Sequence, residues 1–362
     1  MKGHGYPSRP TSLVAHHYLM RMSLRLVCYA VLVLAAPAAA QNPRPVAIPQ
    51  DQLFARLSAA ADSLAAEEQF SGVVVLGRNG APVFQRALGM ADREAGRPND
   101  TETAFNLGSI NKAFTQIAIR QLAQAGLLDL DSTLARAWPD YPNAEIARRV
   151  TIRQLLQHRS GIGGNIFAAP AGGSRATLRR LADFLPLFVA ESLQFDPGTR
   201  QQYSNAGYVV LGLLVERLSG EDYYDYVRRH IYEPAGMRRT GHFAWDSLPP
   251  NTAIGYTPGR PDAPPGTPLR RNTDMLPGRG SSAGGGYSTA ADLLRFVQAL
   301  RENRIPAGGP PGLGVAGGAP GINAVLEGDL PGGYDLVVLA NLDPPAAERI
   351  ARLVRGWLGA ND

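Results

Sequence analysis

The sequence predicts a mixed α/β (α+β) fold, with a sheet built from both ends of the chain and a helical lobe inserted between them. Two observations carry this. Strand-like segments cluster at the ends: Gly72–Gly77 and Val83–Gly89 around a turn at Gly80, then Gly321–Leu326 and Tyr334–Asn341. Helical periodicity fills the interval. The lobes read as about 50–105 together with 285–362, and about 106–284. No internal repeat divides the 362 residues, and 44% hydrophobic content suits a sizeable core. Charged residues make up 19% and are mixed in sign, which argues against a disordered chain.

The first element is an export signal. Met20–Arg25 is basic, Leu26–Leu34 is apolar, and Ala38-Ala39-Ala40 offers a small-residue cleavage site before Gln41. Residues 1–19 read as an extension upstream of the start, and 41–362 as the mature chain. The apolar run is too short for a stable membrane anchor, and no later stretch reaches about 18 apolar residues. A periplasmic or secreted location is therefore expected. Loss of Lys2, Arg9, Arg21 and Arg25 takes the formal charge from +5 to +1 (5 − 4 = 1). The basic precursor thus does not point to nucleic acid. Cys28, the single cysteine, leaves with the signal, so neither a disulfide nor thiol chemistry is expected.

The remaining elements follow in order. Residues 51–69 read as a helix with Leu53, Leu57 and Leu64 on one face. Thr115–Leu127 is helical and stops at Gly126, and Thr151 caps a short helix that runs to His158. Tyr208–Leu218 ends at Gly220, and Tyr223–Tyr232 continues the helical middle. Residues 250–287, dense in Pro and Gly, form a long loop of the kind that often shapes a site. Ala290–Leu300 and Pro344–Leu358 are helical.

Downstream of residue 40 the chain holds one lysine, Lys112, against many arginines. Arginine stays protonated, whereas a buried lysine can lose its proton. Ser109 stands three residues earlier, so both side chains share one face of a helix that starts near Ser109. A neutral amine beside a hydroxyl can take its proton, which is the activation a nucleophilic serine needs. The helix start supplies N–H groups for a developing anion. The plain alternative is a serine that only caps a helix. Tyr203-Ser204-Asn205 enters the helix at Tyr208; a phenol near a lysine can act as base and then acid, although loop tyrosines and asparagines are also ordinary turn residues.

Together these segments resemble the serine β-lactamase and penicillin-binding-protein superfamily. Within it they look most like the class C β-lactamase, D-alanyl-D-alanine carboxypeptidase and esterase-type group. Phe105–Thr115 is similar to the family's nucleophile segment. Thr151–Ile162 is similar to its helix and turn, and Gln202–Gly212 to its tyrosine motif. Glu233–Thr240 and Gly284–Leu294 also match in style. The resemblance, spanning about Phe70 to Leu358, implies a β-lactamase-like fold with an antiparallel sheet. It implies Ser109 as the acylated nucleophile, Lys112 as its partner, Tyr203 as general base and Asn205 as a substrate-binding residue. The substrate is expected to be a small molecule or a peptidoglycan-derived ester or amide, with no cofactor and no obligate protein partner.

The family's third motif begins with Lys or His, and its counterpart here is Val315-Ala316-Gly317. These are the expected substrate-binding strand positions, with Val315 unable to bind a carboxylate. The main-chain N–H groups of Ser109 and Gly318 remain as the implied oxyanion hole. The segment 300–312 is short for the family. These departures motivate a rival reading, a catalytically impaired ligand-binding homologue. Gly280-Ser281-Ser282-Ala283-Gly284 fits a nucleophile-elbow pattern, but no strand precedes it and no histidine follows it. His158, His230 and His242 lack metal-ligand spacing, so no metal is expected, and His158 reads as a structural hydrogen-bonding residue.

Overall fold

A computed structural model describes residues 48–260, 263–264, 266–306 and 313–360. The expected export signal with Cys28, and residues 307–312 of the short segment 300–312, lie outside the described residues.

Alternation of apolar side chains over two faces builds the central sheet. Its strands are β1 (Gly72–Arg78), β2 (Ala81–Leu88), β3 (Gly314–Ala319), β4 (Ile322–Leu330) and β5 (Tyr334–Ala340). Their order is β2-β1-β5-β4-β3, and every neighbouring pair is antiparallel. The two ends of the chain thus meet where β1 lies beside β5, in register at Val74 and Val338.

Each face of the sheet buries its own core. Val74, Leu76, Val325, Leu336 and Val338 pack against α1 (Gln50–Ala66) and the C-terminal helix, whose Ile350, Ala351 and Val354 face them. Val73, Val75, Leu326, Val337 and Leu339 join the larger core with the helical middle of the chain. That middle contains α2 (Asn111–Gln124), α3 (Ile152–Leu156) and α4 (Asn205–Ser219), and α5 (Ala290–Arg301) precedes β3. The C-terminal helix, α6, spans Ala346–Leu358. Val209, Val210, Leu211 and Leu214 of α4 are fully buried, which makes α4 the centre of this core.

Local signals set the boundaries. Thr151 and Gln154 close a reciprocal capping box at the start of α3. Gly220 ends α4 in the left-handed conformation, φ 74°. The helix expected over Tyr223–Tyr232 is α-helical only to Val227 and widens into a π-turn over Arg228–Tyr232. Pro234 follows at once; its ring crowds the carbonyl four residues back, at His230, and it offers no N–H to an α-ladder.

The elbow-like Gly280–Gly284 is a tight turn bridged between Ser281 and Gly284. Ser282 within it is fully buried and donates to the Tyr208 carbonyl. It is therefore no exposed nucleophile.

Candidate active site

The Ser109 turn is built by its neighbours. Asn106 Oδ1 accepts from the Gly108 N–H at 2.9 Å, turning the chain into a single 3₁₀ turn over Gly108–Ile110 that runs into α2. Gly108 has φ 50°, and a Cβ there would lie 3.1 Å from Gly318 N. A Cβ on Gly317 would approach Leu107 O to 2.1 Å and Ser109 N to 2.7 Å. Only glycine lets β3 press its backbone against this turn.

Lys112 lies one helical turn on and is 5% exposed. Its Nζ donates to Ser109 Oγ at 3.1 Å, Asn205 Oδ1 at 2.8 Å and Ala283 O at 2.5 Å. Burial lowers its pKa to about 7. Desolvation disfavours the ammonium, and all three acceptors are uncharged. The Nζ also sits 4.7 Å from the Tyr203 ring centre.

Tyr203 donates its hydroxyl to Ser109 Oγ at 2.6 Å. Ser109 Oγ therefore lies between a phenol and an amine. Partial desolvation holds the phenol above its ordinary pKa, and the bond to Ser109 only partly offsets this. At neutral pH Tyr203 is thus a proton donor, in contrast to the general-base role that the resemblance implies for it, and Lys112 is the neighbour with a populated neutral form.

The Tyr203 loop is clamped on two sides. Ser204 caps α4, accepting from Gly207 N at 2.9 Å while its own hydroxyl donates to Ile162 O at 2.6 Å. His158 holds the other side: its carbonyl accepts from Gln202 N at 2.8 Å and its Nδ1 accepts from Ser204 N at 3.1 Å. Its ring stacks between Tyr203 and Tyr208, at 4.6 Å and 4.9 Å. Burial first, and then the Lys112 charge, push the His158 pKa down to about 4.

A cavity of about 620 Å³ opens at Ser109, and Tyr203, Asn205, Ala316, Gly317 and Gly318 line it. Its far wall is apolar, with Phe167, Phe243, Trp245 and Met275. The long loop supplies Met275, Leu276, Pro277 and Gly280 to this wall. Val315 does not line the cavity. It sits opposite Leu326 and packs into the larger core, so its expected place among the substrate-binding positions is corrected. An apolar side chain on an edge strand gains more from that core than from water. The sequence reading missed the Ala283 carbonyl and the aromatic wall; neither leaves a local pattern, because each comes from a distant segment.

Fold and site together define a β-lactamase-type serine hydrolase scaffold. The Beta-lactamase family matches residues 51–344, and the chain belongs to it. It is 32% identical over 300 residues to Esterase EstB of Burkholderia gladioli, covering 74% of each chain. It is 29% identical to Penicillin-binding protein 4 of Amycolatopsis lactamdurans, covering 71% of this chain and 66% of that one. A Bacillus subtilis relative, 32% identical, is spanned over 56% of its length. A penicillin-binding protein from Bacillus halodurans superposes with a TM-score of 0.69 at 30% identity, covering 81% of this chain and 98% of the other. D-amino acid amidase from Ochrobactrum anthropi SV3 shares the fold, with a TM-score of 0.71 at 24% identity, over 84% of this chain and 98% of that one.

Proposed function

We propose that the chain is an exported serine hydrolase that cleaves esters or amides through an acyl-serine intermediate. One observation carries the reading: Ser109 Oγ is held between the Tyr203 hydroxyl and a lysine whose pKa lies at about 7.

Neutral Lys112 takes the Ser109 proton as Oγ attacks the substrate carbonyl. The oxyanion forms against the N–H groups of Ser109 and Gly318. In the two-residue hairpin closed at Ala319 and Ile322, the next pair, Gly318 and Asn323, is of the non-bonded kind, so the Gly318 N–H faces the open strand edge. Tyr203 hands its proton to the leaving group and is reprotonated from Lys112. Water then repeats the cycle on the acyl-serine. Asn205 holds the Lys112 amine and faces the cavity, where it meets the substrate.

The aromatic wall and the esterase relative favour apolar esters. The basic-then-apolar segment before Gln41 supports export to the periplasm or beyond.

The competing reading, an impaired ligand-binding homologue, draws on Val315, which gives the cavity no polar group. Hydrolysis of p-nitrophenyl acetate by residues 41–362 separates the two. Turnover that disappears in Ser109→Ala supports the hydrolase; folded protein inert to both the ester and a serine-directed covalent probe supports the homologue.

A further inference from the structure

Among the described residues that line the cavity, Arg175 is the one cation and Glu348 the one acid. Arg175 opens a 3₁₀ turn, Arg175–Thr177, and is half-buried. Its guanidinium is fixed in place: Nε donates to Phe167 O at 2.5 Å and Nη1 donates to Asp274 O at 3.2 Å. Both acceptors are neutral carbonyls. Among the described residues no carboxylate pairs with Arg175, and the Asp274 carboxylate is taken by Arg270 at 2.8 Å. Neighbouring arginines are matched differently, Arg179 with Asp246 and Arg271 with Asp92 and Glu94.

The joint between the two loops does not depend on this side chain. Gly278 N donates to Arg175 O and Arg279 N donates to Leu178 O, each at 3.0 Å, so backbone bonds already hold the segments together. What the side chain adds is an unneutralised charge on an apolar wall. A guanidinium carries five N–H donors, and two are used here. Among the described residues, the remaining donors of this half-buried guanidinium are free of protein acceptors, and a bound carboxylate accepts from them in a charge-assisted pair. Glu348 puts the opposite charge on the wall formed by β3 and α6, so the cavity is polarised.

We propose that Arg175 is the anion-recognition residue of this site, selecting acyl donors whose apolar body carries a carboxylate. This rests on the acyl-serine reading. Fork-shaped pairing with a carboxylate fixes the acyl group's orientation, while Phe167, Phe243 and Trp245 cover its apolar body.

Binding is read apart from turnover. Calorimetric titration of the wild-type chain with hydrocinnamate and with its neutral amide gives roughly tenfold or greater preference for the carboxylate. Arg175→Gln brings the two to parity and leaves the amide's affinity unchanged. In turnover, Arg175→Gln raises KM for mono-p-nitrophenyl adipate by about tenfold at constant kcat. It leaves p-nitrophenyl hexanoate unaffected, and Arg175→Lys recovers part of the adipate KM. No preference for the carboxylate in the wild type, including no binding of either compound, overturns the proposal. So does equal loss of both ligands in the variant. If neither ester turns over while the carboxylate preference persists, the acyl-serine reading fails and the anion site stands.

Discussion

Lys112 Nζ lies 3.1 Å from Ser109 Oγ, and every hydrogen-bond acceptor around it is uncharged. A lysine in a salt bridge would hold its proton to high pH. This one, buried without a counter-charge, gives it up near neutrality, which turns a packing decision into reactivity.

The first prediction is therefore a pH profile. With a Lys112 pKa of about 7, kcat/KM on a neutral ester rises with pH through about 7 and levels off above it. Lys112→Arg and Lys112→Ala each lose roughly 10²–10⁴-fold in kcat, because neither accepts the proton. Initial rates from pH 5 to 9 check both statements, and a wild-type profile flat across that range contradicts the first.

The same shift appears in stability. The Lys112 pKa falls from 10.5 in the unfolded chain to about 7 in the fold. Between those values the unfolded chain binds more protons, so this group's contribution to stability grows as pH rises from about 7 to 10.5 and is lost as pH falls. Lys112→Met removes that dependence. The melting-temperature gain of Lys112→Met over wild type is expected to be larger at pH 6 than at pH 10.

His158 holds Tyr203 from a left-handed backbone, φ 58°. Asparagine tolerates that conformation, so His158→Asn folds but loses the stack against Tyr203. We expect kcat to fall by about tenfold with KM little changed, since the ring positions the phenol and touches no substrate. His158 is neutral in the fold, with its pKa down from 6.5 to about 4, so wild-type stability drains as pH falls from 6.5 toward 4. The variant is expected to lose less over that window, which thermal melts at pH 7, 5.5 and 4 measure.

Gly317→Ala tests the contact between β3 and the nucleophile turn. The added methyl lands 2.1 Å from Leu107 O and 2.7 Å from Ser109 N, both backbone atoms that cannot swing aside. The strand must shift, at a cost of about 1–3 kcal/mol in stability. The N–H groups around Ser109 then lose their alignment, and turnover is expected to fall by roughly 10²–10³-fold, the range for a lost oxyanion donor. Thermal unfolding and ester hydrolysis on the same sample check the pair.

How much of this was legible in the sequence follows from how local each signal is. Gly220, the Thr151 cap and the apolar runs of β1 and β5 act within a few residues, and they read correctly; the Gln154 half of the cap did not. The contact between Lys112 and Ser109 was legible too, since the two stand three residues apart at a helix start and no other lysine lies downstream of residue 40. Asn205 and Tyr203 come together with them across 93 and 94 residues, and their motif resemblance rather than periodicity pointed there. Val315 was misread because its side chain's destination depends on Leu326, a partner fixed only by strand register. The π-turn at Arg228–Tyr232 and the aromatic wall depend on packing between distant segments, which no short window contains.

The most direct test of the central claim is the site of acylation. The chain is mixed with a p-nitrophenyl ester, quenched in acid during turnover, digested and mapped by mass spectrometry. The account predicts an acyl group on the peptide carrying Ser109, absent from Ser109→Ala, which also no longer releases p-nitrophenol. An acyl group on another residue, or undiminished turnover by Ser109→Ala, contradicts it.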